Sequence, residues 1–217
     1  MPTIRTALYP MPTAAALPAD GPSWPVDPLR SALLVQQMQN QLLQPLRGRA
    51  PVGQLLSNVS RLTQVARSVQ VPVVYVLRVA GEQGTAWADA DERPAARPPA
   101  GAGAVADVVR PQPGDTVFTA KRYSAFAGTR LRARLRELGR DQLILVGGPA
   151  RTDVLLTAAD AWMQDLRPFV IADAVIEATA EDHAMAVRWL AGTCAALRTT
   201  DSVVEAFRTA HPEPEAV

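Results

Sequence analysis

Cysteine, histidine and lysine are nearly missing from this sequence. Its 217 residues hold one cysteine, Cys194, two histidines, His183 and His211, and one lysine, Lys121. A single thiol cannot build a disulfide framework or a multi-thiolate metal site. Two histidines supply a structural zinc site equally poorly. An excess of one charge is missing too. The 22 basic residues stand against 21 acidic ones, a net charge of +1, so no strong field draws nucleic acid to the chain. No run of about 18 apolar residues offers a membrane span. The N-terminus lacks the basic start and apolar stretch of a secretory signal. A cytoplasmic protein is expected, with no metal, no organic cofactor, no nucleic-acid partner and no membrane contact.

The chain is instead rich in apolar residues, 48% against 20% charged. That composition and length suit one domain with a sizeable core. Every basic residue other than Lys121 is arginine, and alanine and proline are abundant. This reads as the codon bias of a GC-rich genome, not as a phosphate-binding device.

Residues 1–30 are Pro-rich and aperiodic, which predicts an extended arm over the surface of a domain spanning 31–210. Short apolar runs predict strands at Ser31–Val35, Val71–Leu77, Thr116–Thr119, Gln142–Val146, Pro168–Ala172 and Leu197–Thr199. Helical spacing marks Pro51–Ser68, with Leu55, Leu56, Val59, Leu62 and Val65 on one face. A second helix carries Leu131, Leu135 and Leu138 and stops at Gly139. Further helices are predicted over Thr152–Asp165 and Ser202–Ala210, and another opens at Thr179-Ala180-Glu181-Asp182, which is like a capping box. Residues 79–115 interrupt the alternation and predict a lid loop with Trp87 as its apolar contact. The tail 211–217 is expected to fray.

Strands that are continuous apolar runs, alternating with helices, argue for a parallel sheet covered on both faces. Sites in such sheets lie beyond the carboxyl ends of the strands. The segments to inspect are therefore Gln36–Gln41, Arg78–Gly81, Ala120–Phe126 and Gly147–Val154.

Four segments carry a resemblance. They are Tyr9-Pro10-Met11-Pro12 with Leu17-Pro18 and Ser23-Trp24; Leu34-Val35-Gln36-Gln37-Met38-Gln39-Asn40; Arg122-Tyr123-Ser124-Ala125-Phe126; and Leu138-Gly139-Arg140-Asp141-Gln142-Leu143-Ile144. Together they resemble the isochorismatase-like hydrolases, a branch of the cysteine-hydrolase superfamily. The arm looks like that of the aryl branch, which acts on isochorismate or its amino analogue in siderophore and phenazine pathways. The resemblance implies a three-layer α/β/α sandwich with a six-stranded parallel sheet, a homodimer, and a small anionic substrate. It also implies hydrolysis of an enol-pyruvyl ether. The difficult step is protonation of a vinyl carbon by a carboxylic acid held neutral in a buried site, after which water attacks the oxocarbenium ion.

By the same resemblance, the proton-handling positions are substituted here. The acid position is Gln37, and an amide has no proton to give. The lysine position is Ala120, followed by Lys121, which one step along a strand end directs to the opposite face. The position of the amidase nucleophile, a glycine in aryl members, is Asp153. Cys194 lies on the apolar stripe of a predicted helix and reads as core, which argues against a thiol-dependent amidase. The remaining candidates for substrate contact are Arg78, Tyr123, Arg151, Gln41 and Trp87. Structural readings stand beside these. Arg78 can be a surface ion pair, Asp153 a first-turn helix residue favoured by the dipole, and Tyr123 an interface residue. Asp89, Asp91 and Glu92 fit a solvated loop.

Three functions follow. The chain is an isochorismatase-like enzyme of secondary metabolism with altered chemistry on a small carboxylated ring, an inactive binding or scaffold subunit of a biosynthetic complex, or a weak ordinary isochorismate hydrolase. In each case elemental analysis of the purified protein is expected to show no stoichiometric metal, and a metal at one equivalent per chain would overturn that expectation.

Overall fold

The computed structural model describes residues 8–48, 50–78 and 100–210. Its centre is a six-stranded parallel sheet built from β1 (Ser31–Gln36), β2 (Val73–Arg78), β3 (Thr116–Ala120), β4 (Gln142–Gly147), β5 (Arg167–Val175) and β6 (Ala196–Arg198). The order across the sheet is β3-β2-β1-β4-β5-β6. All six residues of β1 are buried, because β2 and β4 flank it and both its faces are covered.

Side-chain alternation divides the core into two halves. On one face Leu33, Val35, Tyr75, Ile144 and Phe169 meet α1 (Asn40–Leu46), α2 (Val52–Ser68) and α6 (Thr200–Ala210). On the other, Leu34, Val74, Leu143 and Val170 meet α3 (Leu131–Glu137), α4 (Leu155–Met163) and α5 (Ala180–Thr193). This is the expected three-layer architecture. The Thr179 hydroxyl accepts from the Asp182 N–H at 3.1 Å, so the anticipated cap of α5 is formed. Gly139 follows α3 at φ +65°, the left-handed conformation that ends a helix.

Three segments differ from expectation. Helix α1 has no side-chain cap and contains Pro45, so local sequence gives it little support. It forms because the Asn40 and Gln41 N–H groups donate to Ala104 and Ala102 carbonyls at 2.9 and 2.8 Å, while Leu43 and Leu46 are buried. The same contacts involve the second part of the segment expected as a lid over 79–115. Residues 100–115 are fastened down, with Val105 and Val109 buried and the Tyr75 hydroxyl donating to the Val109 carbonyl at 2.9 Å. Residues 79–99, Trp87 among them, lie outside the described residues. The helix expected over Thr152–Asp165 begins earlier, as a π-helical turn at Ala150–Val154 that runs into α4.

The described part of the arm lies over the domain and also enters its core. Tyr9 and Met11 are buried, and Trp24 stacks on Trp162 with ring centroids 5.7 Å apart. The Tyr9 hydroxyl donates to the Glu177 carbonyl at 3.0 Å and accepts from the Glu177 N–H at 3.1 Å.

The chain departs from β1 toward β2 on one side, while β4 lies on the other, so the ends of β1 and β4 form the topological switch point where parallel sheets place their sites. Gly147 makes that junction possible. Its φ is +103°, and a Cβ there would sit 2.0 Å from the Gln36 carbonyl oxygen. Gly147→Ala is therefore expected to cost more than about 4 kcal/mol, seen as a collapsed urea midpoint or insoluble protein. An unchanged midpoint would contradict the close approach.

Candidate active site

The ends of four strands deliver the groups that the sequence singled out. Gln37 directly follows β1, Arg78 ends β2, Ala120 ends β3, and Asp153 sits in the π-helical turn after β4. Gln37 has φ 51°, a left-handed conformation that costs a non-glycine residue of order 1 kcal/mol. Its N–H donates to the Val76 carbonyl at 3.0 Å. The π-helical turn widens the start of α4, and such turns recur at functional sites. It is anchored at Ala150, whose N–H donates to the Ile176 carbonyl at 2.9 Å, and at Arg151, whose N–H donates to the Glu177 carboxylate at 2.7 Å.

These supports bring Gln37, Arg78 and Asp153 into contact. Asp153 Oδ1 accepts from Gln37 Nε2 at 2.6 Å and from Arg78 Nη2 at 2.5 Å. Asp153 Oδ2 accepts from the Thr152 hydroxyl at 2.9 Å. Asp153 is 1% exposed, Gln37 6% and Arg78 8%. The Arg78 guanidinium also lies over the Tyr123 ring, 4.9 Å from its centroid, a cation–π contact that holds the guanidinium plane. Burial pushes the Asp153 carboxyl above the usual carboxylate range, and the neighbouring Arg78 opposes that rise without cancelling it.

Two structural readings are thereby corrected. Arg78 is not a surface ion pair, since its partner is a buried carboxylate. Asp153 is not simply a dipole-favoured residue at an exposed helix end, since it is buried against a cation. The other candidates lie apart. Lys121 is exposed, on the solvent side of the β3 end, while Ala120 is buried beside Arg78, its partner in strand register. Arg151 directs its side chain outward to Asp182 at 2.9 Å. Gln41 is half-buried on α1 and is not a partner of Asp153. Cys194 caps the end of α5, buried, with its thiol pushed up to about 11 by that burial, so it is poorly suited to act as a nucleophile.

Gln39, Glu177 and Thr152 escaped the sequence reading. The Gln39 side chain accepts from the Arg78 N–H at 2.8 Å and donates to the Arg78 and Gly103 carbonyls, each at 2.9 Å. It clamps the end of β2 to the segment over α1. The available signal was a run of polar amides at the end of an otherwise apolar strand, where buried glutamine is uncommon. Among the described residues no group of three or more His, Cys, Asp or Glu is placed to hold a metal. Among them, too, no helix is long and apolar enough to cross a membrane.

The fold and site define an α/β protein of the doubly covered parallel-sheet class, with polar groups gathered at its switch point. Solved structures share that fold. A cysteine hydrolase from Pseudomonas syringae pv. phaseolicola 1448A superimposes with TM-score 0.73 at 22% identity, covering 87% of this chain and 97% of that one. A family model described as the isochorismatase domain matches residues 31–202, and the chain belongs to the isochorismatase family. The phenazine biosynthesis protein PhzD of Pseudomonas fluorescens is 39% identical over 198 residues, covering 90% of this chain and 95% of that protein. The isochorismatase of Bacillus subtilis is 34% identical over 211 residues, covering 93% of this chain and 66% of its own length.

Removing the cation tests the site electrostatics. Arg78→Met leaves Asp153 buried without a counter-charge, a loss of about 3–5 kcal/mol near neutral pH. The carboxyl of the variant holds its proton to higher pH than the unfolded chain does, so the deficit should grow as pH rises through that raised value and shrink as pH falls. Urea denaturation of both proteins at mildly acidic and mildly alkaline pH measures this. A deficit independent of pH would place the effect elsewhere.

Proposed function

We propose that this chain is an isochorismatase-family enzyme of secondary metabolism that acts on a small carboxylated, chorismate-derived ring with a rearranged acid–cation pair. One observation carries the reading: a buried carboxylate and guanidinium, Asp153 and Arg78, meet at the switch point 2.5 Å apart. The resemblance puts the family acid at position 37 and the family lysine at position 120. Position 37 is one hydrogen bond from Asp153, and position 120 is the strand partner of Arg78. On this reading each charged group has moved to a neighbouring strand end and the charge complement of the crevice is kept. The relatives named for phenazine biosynthesis and for isochorismatase support a ring substrate bearing an enol-pyruvyl ether.

Asp153 then does what Gln37 cannot. Its raised affinity for a proton suits a general acid, and Oδ2, free of Arg78, is the oxygen to carry that proton. Protonation of the vinyl carbon gives an oxocarbenium ion. Water adds to it, and collapse of the hemiketal releases pyruvate and the ring alcohol. Arg78, steadied by Tyr123, meets the substrate carboxylate. The added carboxylate at 153 crowds and charges the ring site, so isochorismate itself is expected to turn over more slowly here than in the relatives.

A lactate-dehydrogenase-coupled pyruvate assay on isochorismate and related enol-pyruvyl ethers tests this reading. Asp153→Asn keeps the shape and removes the acid, and it should lower kcat by ~10²–10⁴-fold. Full turnover by that variant would move the acid elsewhere. Ligand binding with no turnover of any such ether would favour an inactive binding subunit.

A further inference from the structure

The Arg78–Asp153 pair has a geometry that its own chemistry does not require. A guanidinium can grip a carboxylate with two parallel N–H bonds. Among the described residues Arg78 gives Asp153 only one, from Nη2 to Oδ1. That oxygen also takes the Gln37 amide, while Oδ2 turns away to Thr152. The carboxylate is thus held at one corner of the fork. We propose that Asp153 is a built-in occupant of a carboxylate seat on Arg78, and that an incoming ligand carboxylate displaces it while Asp153 takes one proton from solvent. This rests on the reading of the Asp153 crevice as the substrate site.

The exchange follows from the charges present. A ligand carboxylate that takes the fork with both oxygens replaces a one-armed contact with a two-armed one. Asp153 then loses Arg78, its charged partner among the described residues, while remaining buried. A buried carboxylate without a cation is costly, and taking up a proton relieves that cost. Gln37 suits both states. Its NH2 donates to the carboxylate, and its carbonyl can accept from the neutral carboxyl after rotation. An ionised acid at position 37 could not donate to an ionised Asp153 in this way.

The other described charged groups near the turn are engaged elsewhere or exposed. On α5, Asp182 pairs with Arg151, and His183 contacts the Tyr9 hydroxyl and the Ala172 carbonyl. The Glu177 carboxylate accepts from the Arg151 and Ala178 N–H groups. On α4, Asp160 is held by Ser124 and Gln164, and on β5 Asp173 is held by Thr200. Lys121 and Arg122, beyond β3, are exposed. Among the described residues Arg78 is the charged group that pairs with Asp153. Binding and protonation at this site are therefore one event: the ligand's own carboxylate converts Asp153 from the counter-ion of Arg78 into a neutral acid beside the bound ring.

Benzoate is the probe, with benzamide as its neutral match. Titration calorimetry of the intact chain in two buffers of different ionisation enthalpy reads the protons exchanged on binding. Benzoate should bind with net uptake approaching one proton. Where uptake is complete, affinity should fall about tenfold for each unit rise in pH. Benzamide should show no uptake. Asp153→Asn should bind benzoate without uptake and without that pH dependence, and more tightly by about tenfold or more, because the internal competitor is gone. The wild-type measurement stands even where the variant fails to fold. Binding without proton uptake between about pH 5 and pH 8, no benzoate binding by the wild type, or binding by Asp153→Asn alone would each overturn the proposal. Proton-linked benzoate binding in a chain that hydrolyses no enol-pyruvyl ether would uphold this exchange and fail the hydrolase reading, so the two are separable.

Discussion

Arg78 and Asp153 are taken out of water together, and neither could be buried alone. An unpaired ion inside a protein costs several kcal/mol, whereas a pair with good geometry and further hydrogen bonds is tolerated. The surrounding structure supplies those bonds: Gln37 and Thr152 to the carboxylate, and the Tyr123 face to the guanidinium. Each of these residues comes from a different strand end or the turn beyond it. The pair therefore depends on the sheet converging as it does, and the polar crevice depends on the pair.

That convergence has its own requirements. β1 must approach β4 so closely that position 147 admits only glycine, and the residue after β1 must enter the left-handed region to aim its side chain across the crevice. The end of β2 is held by Gln39, and the turn after β4 is held by Glu177. Glu177 is in turn fixed through its backbone to Tyr9. The arm thus reaches the site through a chain of side-chain-to-backbone hydrogen bonds, which gives a physical role to a segment whose described residues hold one short helical turn, Ala14–Ala16.

Membership of the isochorismatase family sets the scaffold, and on it this chain buries the Arg78 guanidinium against the Asp153 carboxylate. Position 153 holds a buried carboxylate, and Cys194, the single cysteine of the sequence, is sealed in the core. At the switch point lies a carboxyl that burial pushes up and that the Arg78 guanidinium holds back in part.

The sequence by itself determined the layered parallel sheet, because uninterrupted apolar strands can be stable only when both faces are covered. It also marked the segments beyond the strands, and within them Gln37, Arg78, Tyr123 and Asp153, as candidates. It gave no account of why Arg78 and Asp153 belong together. They are 75 residues apart, and their pairing is a product of strand order, in which β1 lies between β2 and β4. Helix α1 was illegible for a related reason, since its first N–H groups are satisfied by residues 102 and 104. The supporting roles of Gln39 and Glu177 were likewise hidden, because a polar side chain reveals its partner only when distant backbone is brought to it. Periodicity reports which face of an element is buried. Which charge a buried group meets is decided by neighbours that only the tertiary structure supplies.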